Sequence, residues 1–388
     1  MRILAIADDT TGAIEVGAKF AMAGVRTLVT TDDTLECDAD ALVIDAQTRH
    51  LSPVRAYERI VRLAIAAREA GIPYVFKKTD STLRGNIAAE FQALIDAFAE
   101  RPLLYVPAYP RMGRVVTSSE LYVHGAPLSQ TAFAHDPLNP SVQGWIPALL
   151  SVGCGAPILT ASDGERIREL LTAAPGGVII LCDGATDDDL QAAAEALAAT
   201  GRPSIVAGTA GFCEPWVRAV PVEKTFQATS PAVLRCVVVS GSVNPVSQEQ
   251  IQRAAEAGIP AITLAEQPEG DAQTAEELAA MLGVHAWVSL ATPRTCPRSV
   301  SERIGALVVR ILEAQPLDGL VVFGGDTTRA ILDALGVSVV EPCRDVLPGI
   351  PVSVIQHGDR RLALITKAGG FGDRDTLGAI RQTLEERS

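Results

Sequence analysis

Short apolar runs alternate with amphipathic stretches along most of this 388-residue chain, and no other feature restricts its fold as strongly. The runs Ile3 to Ala7 and Tyr74 to Phe76 have the length and composition of buried strands. The stretches Ser52 to Ala70 and Asn86 to Ala99 carry apolar residues at helical spacing. This alternation predicts an α/β fold with a mostly parallel sheet. The other elements predicted in this half are the strands Thr27 to Thr30, Ala41 to Asp45, Leu103 to Val106, Ile158 to Thr160, Val178 to Cys182 and Ser204 to Ala207, and the helices Gly164 to Ala173 and Asp187 to Ala199.

The alternation lapses between Val220 and Pro231, and a second series of strands and helices follows. A chain of this length can form two cores, so we predict a linker here and two domains, residues 1–225 and 226–388. Because ligands favour domain interfaces, we expect two α/β lobes with an active-site cleft between them. The second series comprises the strands Leu234 to Ser240, Ala261 to Leu264, Ala286 to Leu290, Leu320 to Phe323 and Leu362 to Thr366, and the helices Ser247 to Ala257, Ala275 to Leu282, Ser299 to Ala314, Thr328 to Leu335 and Thr376 to Glu386.

Composition and charge restrict the class of protein. An apolar content of 48% excludes a disordered chain, and no uncharged apolar run is long enough to predict a membrane-spanning helix. The net charge of −13 disfavours nucleic acid and anionic membranes as partners, because both are polyanionic. The amino terminus runs directly into a predicted strand rather than a signal peptide, so we expect a cytoplasmic protein. Seven cysteines without a C-x-x-C pair argue against a disulfide framework, and a symmetric homodimer is the default oligomer.

Two polar clusters follow predicted strands of the first half. One is the run Lys77 to Asn86, which combines cations, a carboxylate and hydroxyls, and the other is Asp8 to Gly12. Because parallel strands present their carboxyl ends at one edge of a sheet, we expect both clusters to face one crevice. Such a composition is typical of a site that handles a small anion. Arg111 and Arg114 follow another predicted strand and are further candidates for the basic patch.

Three glycine-rich turns follow apolar strands of the second half, at Ser240 to Pro245, Gly324 to Thr328 and Lys367 to Gly372. Glycine lets backbone N–H groups approach a phosphate closely, and the amino terminus of a helix favours negative charge. One such turn would indicate only chain reversal. Three turns at one edge of the same domain predict binding of a nucleotide polyphosphate.

Several common enzyme signatures are absent from the sequence. It has no G-x-x-x-x-G-K-[ST] phosphate loop and no G-x-G-x-x-G after the first strand, which argues against Walker-type and common dinucleotide-binding proteins. It also lacks H-E-x-x-H and G-x-S-x-G, which weakens a zinc hydrolase or an acyl-transfer hydrolase. The five histidines are scattered, at His50, His124, His135, His285 and His357.

Seven motifs in order along the chain resemble the four-carbon acid sugar kinase family. The first four are A-D-D-T-T-G-A at Ala7 to Ala13, K-T-D-S-T-L-R-G-N at Lys78 to Asn86, P-A-Y-P-R-M-G-R at Pro107 to Arg114 and D-P-L-N-P at Asp136 to Pro140. The motifs S-G-S-V-N-P, G-G-D-T and K-A-G-G-F-G follow in the second half, so the resemblance covers essentially the whole chain. Thr10 is a small departure, at a position where the family usually has a larger apolar residue. The resemblance implies ATP-dependent phosphorylation of a hydroxyl on a four-carbon sugar acid such as threonate, erythronate or a 3-oxo-tetronate.

The resemblance implies that the first domain binds the sugar acid. Lys78 and Arg84 would bind the substrate carboxylate or the migrating phosphoryl group, with an ordinary salt bridge as the alternative. Asp9 or Asp80 would accept the proton of the attacking hydroxyl or hold the polyol, and the sequence does not choose between them. Asp8 would contact the polyol or cap the following helix. The other substrate-binding candidates are Thr79, Ser81 and Arg49, of which Arg49 matches a family position that faces the acid.

For the second domain, the resemblance implies nucleotide binding. Asp326 would help to hold Mg²⁺, or would instead bond its own turn. Lys367 would contact a phosphate, or would be a solvated surface lysine. The other residues that the resemblance brings against ATP are Ser242, Gly324, Gly325, Thr327, Gly369 and Gly370.

Two other functions fit parts of the sequence. A sugar-acid dehydrogenase or isomerase would use a similar scaffold, but it should carry a dinucleotide fingerprint or metal-binding histidines. A non-catalytic sugar-acid binding protein would explain the first domain and would leave the glycine turns of the second without a purpose. Calorimetry with ATP-Mg²⁺ and with NAD separates these classes, since only a kinase requires the former.

Overall fold

The computed structural model describes residues 1–135, 140–242, 244–265, 267–292 and 299–386. The chain divides into two compact units, Met1–Phe226 (unit 1) and Gln227–Ser388 (unit 2). No helix or strand lies between Ala219 and Cys236, a stretch that is described in full. Among the described residues, no helix has both the length and the hydropathy that crossing a bilayer would require.

Unit 1 is built on an eight-stranded parallel sheet in the order β2-β3-β1-β4-β11-β5-β10-β9, with a small antiparallel sheet β6-β7-β8 beside it. Most strands of the main sheet are buried along their whole length, as expected for a parallel sheet with helices on its faces. The strands are β1 Ile3–Ala7, β2 Thr27–Thr30, β3 Ala41–Asp45, β4 Tyr74–Lys78, β5 Leu103–Val106, β6 Arg114–Thr117, β7 Glu120–Val123, β8 Ala126–Pro127, β9 Ile158–Ala161, β10 Ile179–Cys182 and β11 Ser204–Gly208. The helices are α1 Thr10–Met22, α2 Pro53–Glu69, α3 Ile87–Ala97, α4 Ile146–Ser151, α5 Gly164–Ala173, α6 Asp187–Ala198 and α7 Ala210–Ala219, with 3-10 turns at Pro110–Met112, Leu128–Gln130 and Ala132–His135.

Unit 2 has a mixed sheet in the order β13-β14-β12-β15-β18-β17-β16. The first five strands are parallel, and β16, β17 and β18 form an antiparallel meander. The strands are β12 Cys236–Ser240, β13 Ala261–Thr263, β14 Trp287–Ala291, β15 Gly319–Phe323, β16 Val339–Leu347, β17 Ile350–His357 and β18 Arg360–Lys367. The helices are α8 Pro245–Glu256, α9 Asp271–Leu282, α10 Ser299–Ala314, α11 Gly325–Ala334 and α12 Thr376–Glu385, with a 3-10 turn at Pro268–Gly270.

The predicted α/β class with mostly parallel sheets is confirmed, and the cleft between the lobes stays a prediction. The sequence predicted α1 only as a helix after Asp8, without bounds, and did not predict α7 or β16. Helix α1 is buried on nearly every side, so it has no amphipathic stripe. Helix α7 contains Pro215, and strand β16 contains Pro342, a residue that normally argues against both kinds of element.

Candidate functional site

In unit 1 the carboxyl ends of β3, β1 and β4 lie side by side. Strand β1 is parallel to both neighbours, and its last residue Ala7 is level with Asp45 of β3 and Lys78 of β4. The segments after these strands therefore begin at one edge of the sheet. They carry the two polar clusters recognised in the sequence and, after β3, Arg49. The predicted meeting of the two clusters is confirmed.

Arg49 joins the clusters by contacting three carboxylates. Its Nε donates to Asp8 Oδ2 at 2.7 Å, and its Nη1 donates to Asp9 Oδ2 at 2.7 Å. Its Nη2 lies 3.4 Å from Asp80 Oδ2. Burial opposes the charge of this guanidinium, yet the three carboxylates raise the pKa of Arg49 well above its usual value. The side chain is therefore a largely buried, permanently charged link between the strand ends.

Both carboxylate oxygens of Asp80 are engaged. Oδ1 accepts from Arg84 Nε at 3.0 Å and from the amide and hydroxyl of Thr82 at 2.9 and 2.5 Å, and Oδ2 accepts from Arg84 Nη2 at 2.7 Å. Burial would raise the pKa of Asp80, but Arg84 and Arg49 hold it well below its usual range. Arg84 thus forms the salt bridge that the sequence left as an alternative, and its side chain is still 25% exposed.

Asp9, and not Asp8, caps helix α1. Oδ1 of Asp9 accepts from the amide of Gly12 at 2.9 Å, so the alternative of a cap at Asp8 is wrong. The Asp9 side chain is 21% exposed, against 3% for Asp8 and 7% for Asp80. Oδ1 of Asp8 is buried and has no hydrogen-bond partner among the described residues. Although burial opposes it, Arg49 and two neighbouring lysines lower the pKa of Asp8.

Lys77 and Lys78 have different environments although they are consecutive. Nζ of Lys77 lies 3.0 Å from Glu90 Oε2 in a fully buried pair, and the hydroxyl of Thr48 donates to the same carboxylate. Removing one member of such a pair costs about 3–5 kcal/mol, because the other charge stays buried. Lys77 therefore ties β4 to α3 and to the turn after β3, beneath the site.

Lys78 lies against the start of α1. Its Nζ donates to the carbonyl of Thr79 at 2.8 Å, and a Cβ added to Gly12 would be 3.2 Å from it. Lys78, Thr79 and Ser81 are all buried in unit 1. These three candidates accordingly lie in the walls of the site rather than on its open surface.

The two arginines of the P-A-Y-P-R-M-G-R motif after β5 lie in different environments. Arg111 is half-exposed and pairs with Asp187 at 2.6 Å and with Glu214 at 3.3 Å. Arg114 is buried, and burial lowers its pKa while Asp80 opposes that shift. Arg114 thus belongs with the carboxylate cluster, whereas Arg111 belongs to a surface network.

Sequence reasoning missed Phe133, in the segment that follows the small sheet. The guanidinium carbons of Arg84 and Arg114 lie 5.8 and 5.7 Å from its ring centroid, within cation–π range. Ser141 fixes this segment by donating to the carbonyl of Thr82 at 2.7 Å. A lone aromatic residue in a polar loop gave no signal in the sequence. Residues 136–139, which carry most of the D-P-L-N-P motif, lie outside the described residues.

In unit 2 the three glycine turns begin at adjacent parallel strands. Phe323 at the end of β15 is level with Ser240 of β12 on one side and with Lys367 of β18 on the other. Gly324 follows with φ of +104°, a conformation that side chains disfavour, and helix α11 starts at the next residue. The prediction that three turns share one edge is confirmed.

Close contacts show that the turns also touch one another. A Cβ added to Gly241 would overlap Thr327 Oγ1, and one added to Gly369 would lie 2.5 Å from Ser242 Oγ. Packing between turns therefore requires glycine at Gly241, whereas a side chain at Gly369 would have to displace the Ser242 hydroxyl. The fourth residue of the S-G-S-V-N-P motif, Val243, lies outside the described residues.

Lys367 is buried beneath the third turn, so the alternative of a solvated surface lysine is wrong. Its Nζ donates to the carbonyls of Ala368, Gly369 and Phe371 at 2.9, 3.2 and 3.1 Å. It also lies 3.3 Å from Ser247 Oγ. Burial lowers the pKa of Lys367 to about 7.

Asp326 lies in the first turn of α11 and is exposed. In the described part of the chain, no three His, Cys, Asp or Glu side chains are grouped closely enough to hold a metal ion. A divalent cation at this edge would therefore need oxygens from another source besides the carboxylates of the described residues.

Two family models match the chain. Residues 3–216 match the sugar-binding N-terminal domain, and residues 237–377 match the nucleotide-binding C-terminal domain. The two matches fall within unit 1 and unit 2 respectively.

Similar proteins span the whole chain. A D-threonate kinase of Bordetella bronchiseptica is 32% identical over 98% of this chain and 97% of its own. A D-erythronate kinase of Heliobacterium modesticaldum is 29% identical over 96% of this chain and 94% of its own. A solved structure from Salmonella typhimurium LT2 has a TM-score of 0.81 at 22% identity and covers 98% of both chains, which shows the shared fold.

Proposed function

The chain belongs to the four-carbon acid sugar kinase family, and on that basis we propose that it transfers the γ-phosphoryl group of ATP to a hydroxyl of a four-carbon sugar acid. The acid is of the threonate, erythronate or 3-oxo-tetronate type. Residues 1–225 bind the acid and residues 226–388 bind the nucleotide. The oxygen of the attacking hydroxyl forms a bond to the γ-phosphorus, its proton passes to a carboxylate of the protein, and ADP leaves.

The convergence of the three glycine turns at adjacent ends of β12, β15 and β18 carries the proposal. A polyphosphate needs several N–H donors within reach, and turns in contact at one sheet edge can supply them together with the amino termini of α8 and α11. Ser242 and Thr327 add hydroxyls at the points where the turns touch. We assign these residues, with Gly324, Gly325, Gly369 and Gly370, to ATP.

Mg²⁺ fits this edge as an ion shared with the phosphates. It prefers few protein carboxylates and several phosphate or water oxygens, and Asp326 is an exposed carboxylate at the edge. The ion would neutralise charge that develops on the transferred group. Asp326 would then hold it directly or through water.

The charged cluster of unit 1 suits a small hydroxy acid. Arg84 keeps a quarter of its side chain exposed although it holds Asp80, so it can offer donors to a carboxylate. Lys78 and Arg114 add positive charge from the walls. Arg49 is tied to three aspartates, and we assign it to holding those carboxylates in place for the polyol hydroxyls.

Among the carboxylates, we assign the proton acceptor to Asp9. Asp80 is a weak base here, because two arginines lower its pKa and both of its oxygens already accept hydrogen bonds. Asp8 is buried and its pKa is also lowered. Asp9 is the most exposed of the three. Each of its oxygens accepts one hydrogen bond, Oδ1 from the Gly12 amide and Oδ2 from Arg49, whereas Oδ1 of Asp80 alone accepts several. Asp80 serves instead to orient the two arginines.

The test is a coupled assay of ADP release with ATP-Mg²⁺ and each of D-threonate, L-threonate, D-erythronate, L-erythronate and a 3-oxo-tetronate. We expect turnover with one or two of these acids and none with the corresponding sugar alcohols, which lack the carboxylate. Calorimetry with NAD is the control for the dehydrogenase alternative. NAD binding without ATP binding would contradict the proposal.

Two further expectations belong to the same proposal. ATP is made and kept inside cells, so we propose that the enzyme works in the cytoplasm and uses no nucleic acid or membrane partner. We also propose a homodimer, the commonest symmetric oligomer. Light scattering after size-exclusion chromatography would test it, and a mass of 40.8 kDa would identify a monomer instead.

A further inference from the structure

Unit 2 places a lysine where a phosphate ligand was expected, but its ammonium faces the wrong way for that role. Lys367 has no exposed surface, and its Nζ lies 4.4 Å from the centre of the Phe323 ring. Its donors point to the carbonyls of Ala368, Gly369 and Phe371. The side chain thus lies under the third turn, and the backbone of the turn separates it from the outer face of the turn.

The same carbonyls are held from helix α8. Ser247 Oγ donates to the carbonyl of Gly369 at 2.7 Å, and Gln250 Nε2 donates to those of Phe371 and Asp373 at 3.1 and 2.7 Å. The turn is closed by a bond from the Phe371 amide to the Ala368 carbonyl at 3.0 Å. Buried donors on three side chains therefore draw the carbonyls of this turn to one side.

Peptide geometry determines which backbone groups of the third turn point away from Lys367. In a planar trans peptide the C=O of one residue and the N–H of the next point in opposite directions. With the carbonyls of residues 368, 369 and 371 turned to Lys367, the amides of Gly369, Gly370 and Gly372 face away from it. Gly372 has φ of +79°, which a residue with a side chain would adopt only with strain. The outward face also meets Ser242 of the first turn, close to Gly369.

We propose that Lys367 is a positioning residue that does not touch the nucleotide: it holds three carbonyls inward so that the amides of Gly369, Gly370 and Gly372 form a cradle for a polyphosphate. This inference deepens the proposed function and rests on it only for the identity of the nucleotide. The buried positive charge beneath the cradle adds long-range attraction for the anion.

Proton uptake is a consequence that a purely structural lysine would not show. Burial lowers the pKa of Lys367 to about 7, so at pH 7.5 a fraction of the side chains is neutral before an anion binds. The groups around Lys367 in the described chain are uncharged: Ser247 and Gln250 of α8, Phe323 of β15 and the loop carbonyls. The nearby carboxylate of Asp373 is engaged by the amide of Asp375 and the hydroxyl of Thr376. A bound polyphosphate would therefore raise the pKa of Lys367 and draw in a proton.

The experiment measures binding rather than turnover, so that it does not depend on the sugar acid. Calorimetry of the full-length protein with inorganic tripolyphosphate and with a non-hydrolysable ATP analogue, in buffers of different ionisation enthalpy at pH 7.5, should show proton uptake. In Lys367→Met we expect about tenfold or greater loss of affinity for both ligands and no uptake linked to this position. Arg361→Gln, an exposed change on the same strand, is the matched control and should bind as the wild type does.

A second variant keeps the test decisive if Lys367→Met does not fold. Gly369→Ala retains the lysine and puts a methyl group at the outward face, whereas Gly378→Ala adds one in α12 where no atom lies within 4 Å. We expect only the former to weaken tripolyphosphate. Wild-type affinity in Gly369→Ala or Lys367→Met would overturn the inference, as would a complex structure with Nζ of Lys367 bonded to a phosphate oxygen. If the protein binds nucleotide tightly but releases no ADP in the presence of ATP and any of the four-carbon acids, only the proposed function is contradicted.

Discussion

In unit 1 the strand ends carry charged side chains that pair with one another, whereas in unit 2 they carry glycine turns with a single buried ammonium underneath. Arg49, Arg84 and three aspartates form the first arrangement, and each charge there is balanced by a neighbour. In the second, the protein contributes mainly backbone groups. The backbone of the third turn lies between Lys367 and the outer face of that turn. The physical reason is that a small hydroxy acid is recognised by a few directional charges, whereas a long polyphosphate needs close approach along its length.

This contrast implies that the two units respond differently to mutation. Changes of charge without change of shape should damage unit 1 most, because its pairs lie in a low-dielectric site. Changes of shape without change of charge should damage unit 2 most, because its turns touch one another. The four predictions below test this difference.

The largest effect is expected for Asp9→Asn. If Asp9 accepts the proton, loss of the base should lower kcat about 10²- to 10⁴-fold, with a smaller change in KM for ATP. Steady-state kinetics of ADP release measures both constants. Asp188→Asn, an exposed change in the first turn of α6, is the control. An unchanged kcat in Asp9→Asn would remove this residue from the chemistry.

The next effect is expected for Asp80→Asn. The change leaves Arg84 and Arg49 without their shared buried partner, so both should lose orientation. We expect KM for the acid to rise about 10- to 100-fold while KM for ATP changes little, and the free energy of unfolding to fall by about 3–5 kcal/mol. Kinetics and urea denaturation measure these. Equal weakening of both substrates would mean that the two units do not separate as proposed.

A change of shape in unit 2 should give the reverse pattern. The methyl group of Gly241→Ala would overlap Thr327, so the first two turns would separate. We expect KM for ATP to rise about tenfold, with KM for the acid unchanged. Gly378→Ala provides the same chemical change in open space and should behave as the wild type. A rise in KM for the acid alone would reverse the assignment of the units.

The smallest effect is on stability as pH changes, and it has opposite origins in the two units. The depressed pKa values of Asp8 and Asp80 mean that their contribution is present above the unfolded-state pKa of about 4 and is lost as pH falls further. For Lys367, with its pKa lowered to about 7, the unfolded chain binds more protons between pH 7 and 10.5, so stability rises with pH there. The slope is at most about 1.4 kcal/mol per pH unit.

Denaturation by urea at pH 7, 8 and 9 measures that slope. Lys367→Met should remove the slope between pH 7 and 9. Asp80→Asn should leave that slope unchanged and should reduce the loss of stability that occurs as the pH falls below about 4. A slope that survives in Lys367→Met would mean that another group of the chain is responsible.

Much of the scaffold could be read from the sequence because its signals are local. The buried runs that became β1, β4, β12 and β15 are apolar throughout, and the polar clusters after them mark where each strand ends. Helices such as α5 and α6 carry both a cap and an apolar stripe. In contrast, α1 was expected only as a helix after Asp8, without bounds, and α7 was not predicted, since burial on all sides or an internal proline hides the helical pattern.

Within the site, the sequence by itself determined which residue types follow which strands, and so it identified Asp9, Asp80 and Arg84 as a group. Only the tertiary structure decided their partners: Asp9 as the helix cap, Arg49 at the centre of three carboxylates, and Phe133 beside two arginines. It also decided that Lys367 faces inward. The reason is that strand order and burial depend on contacts between distant segments, whereas residue type and chain position are properties of the sequence alone.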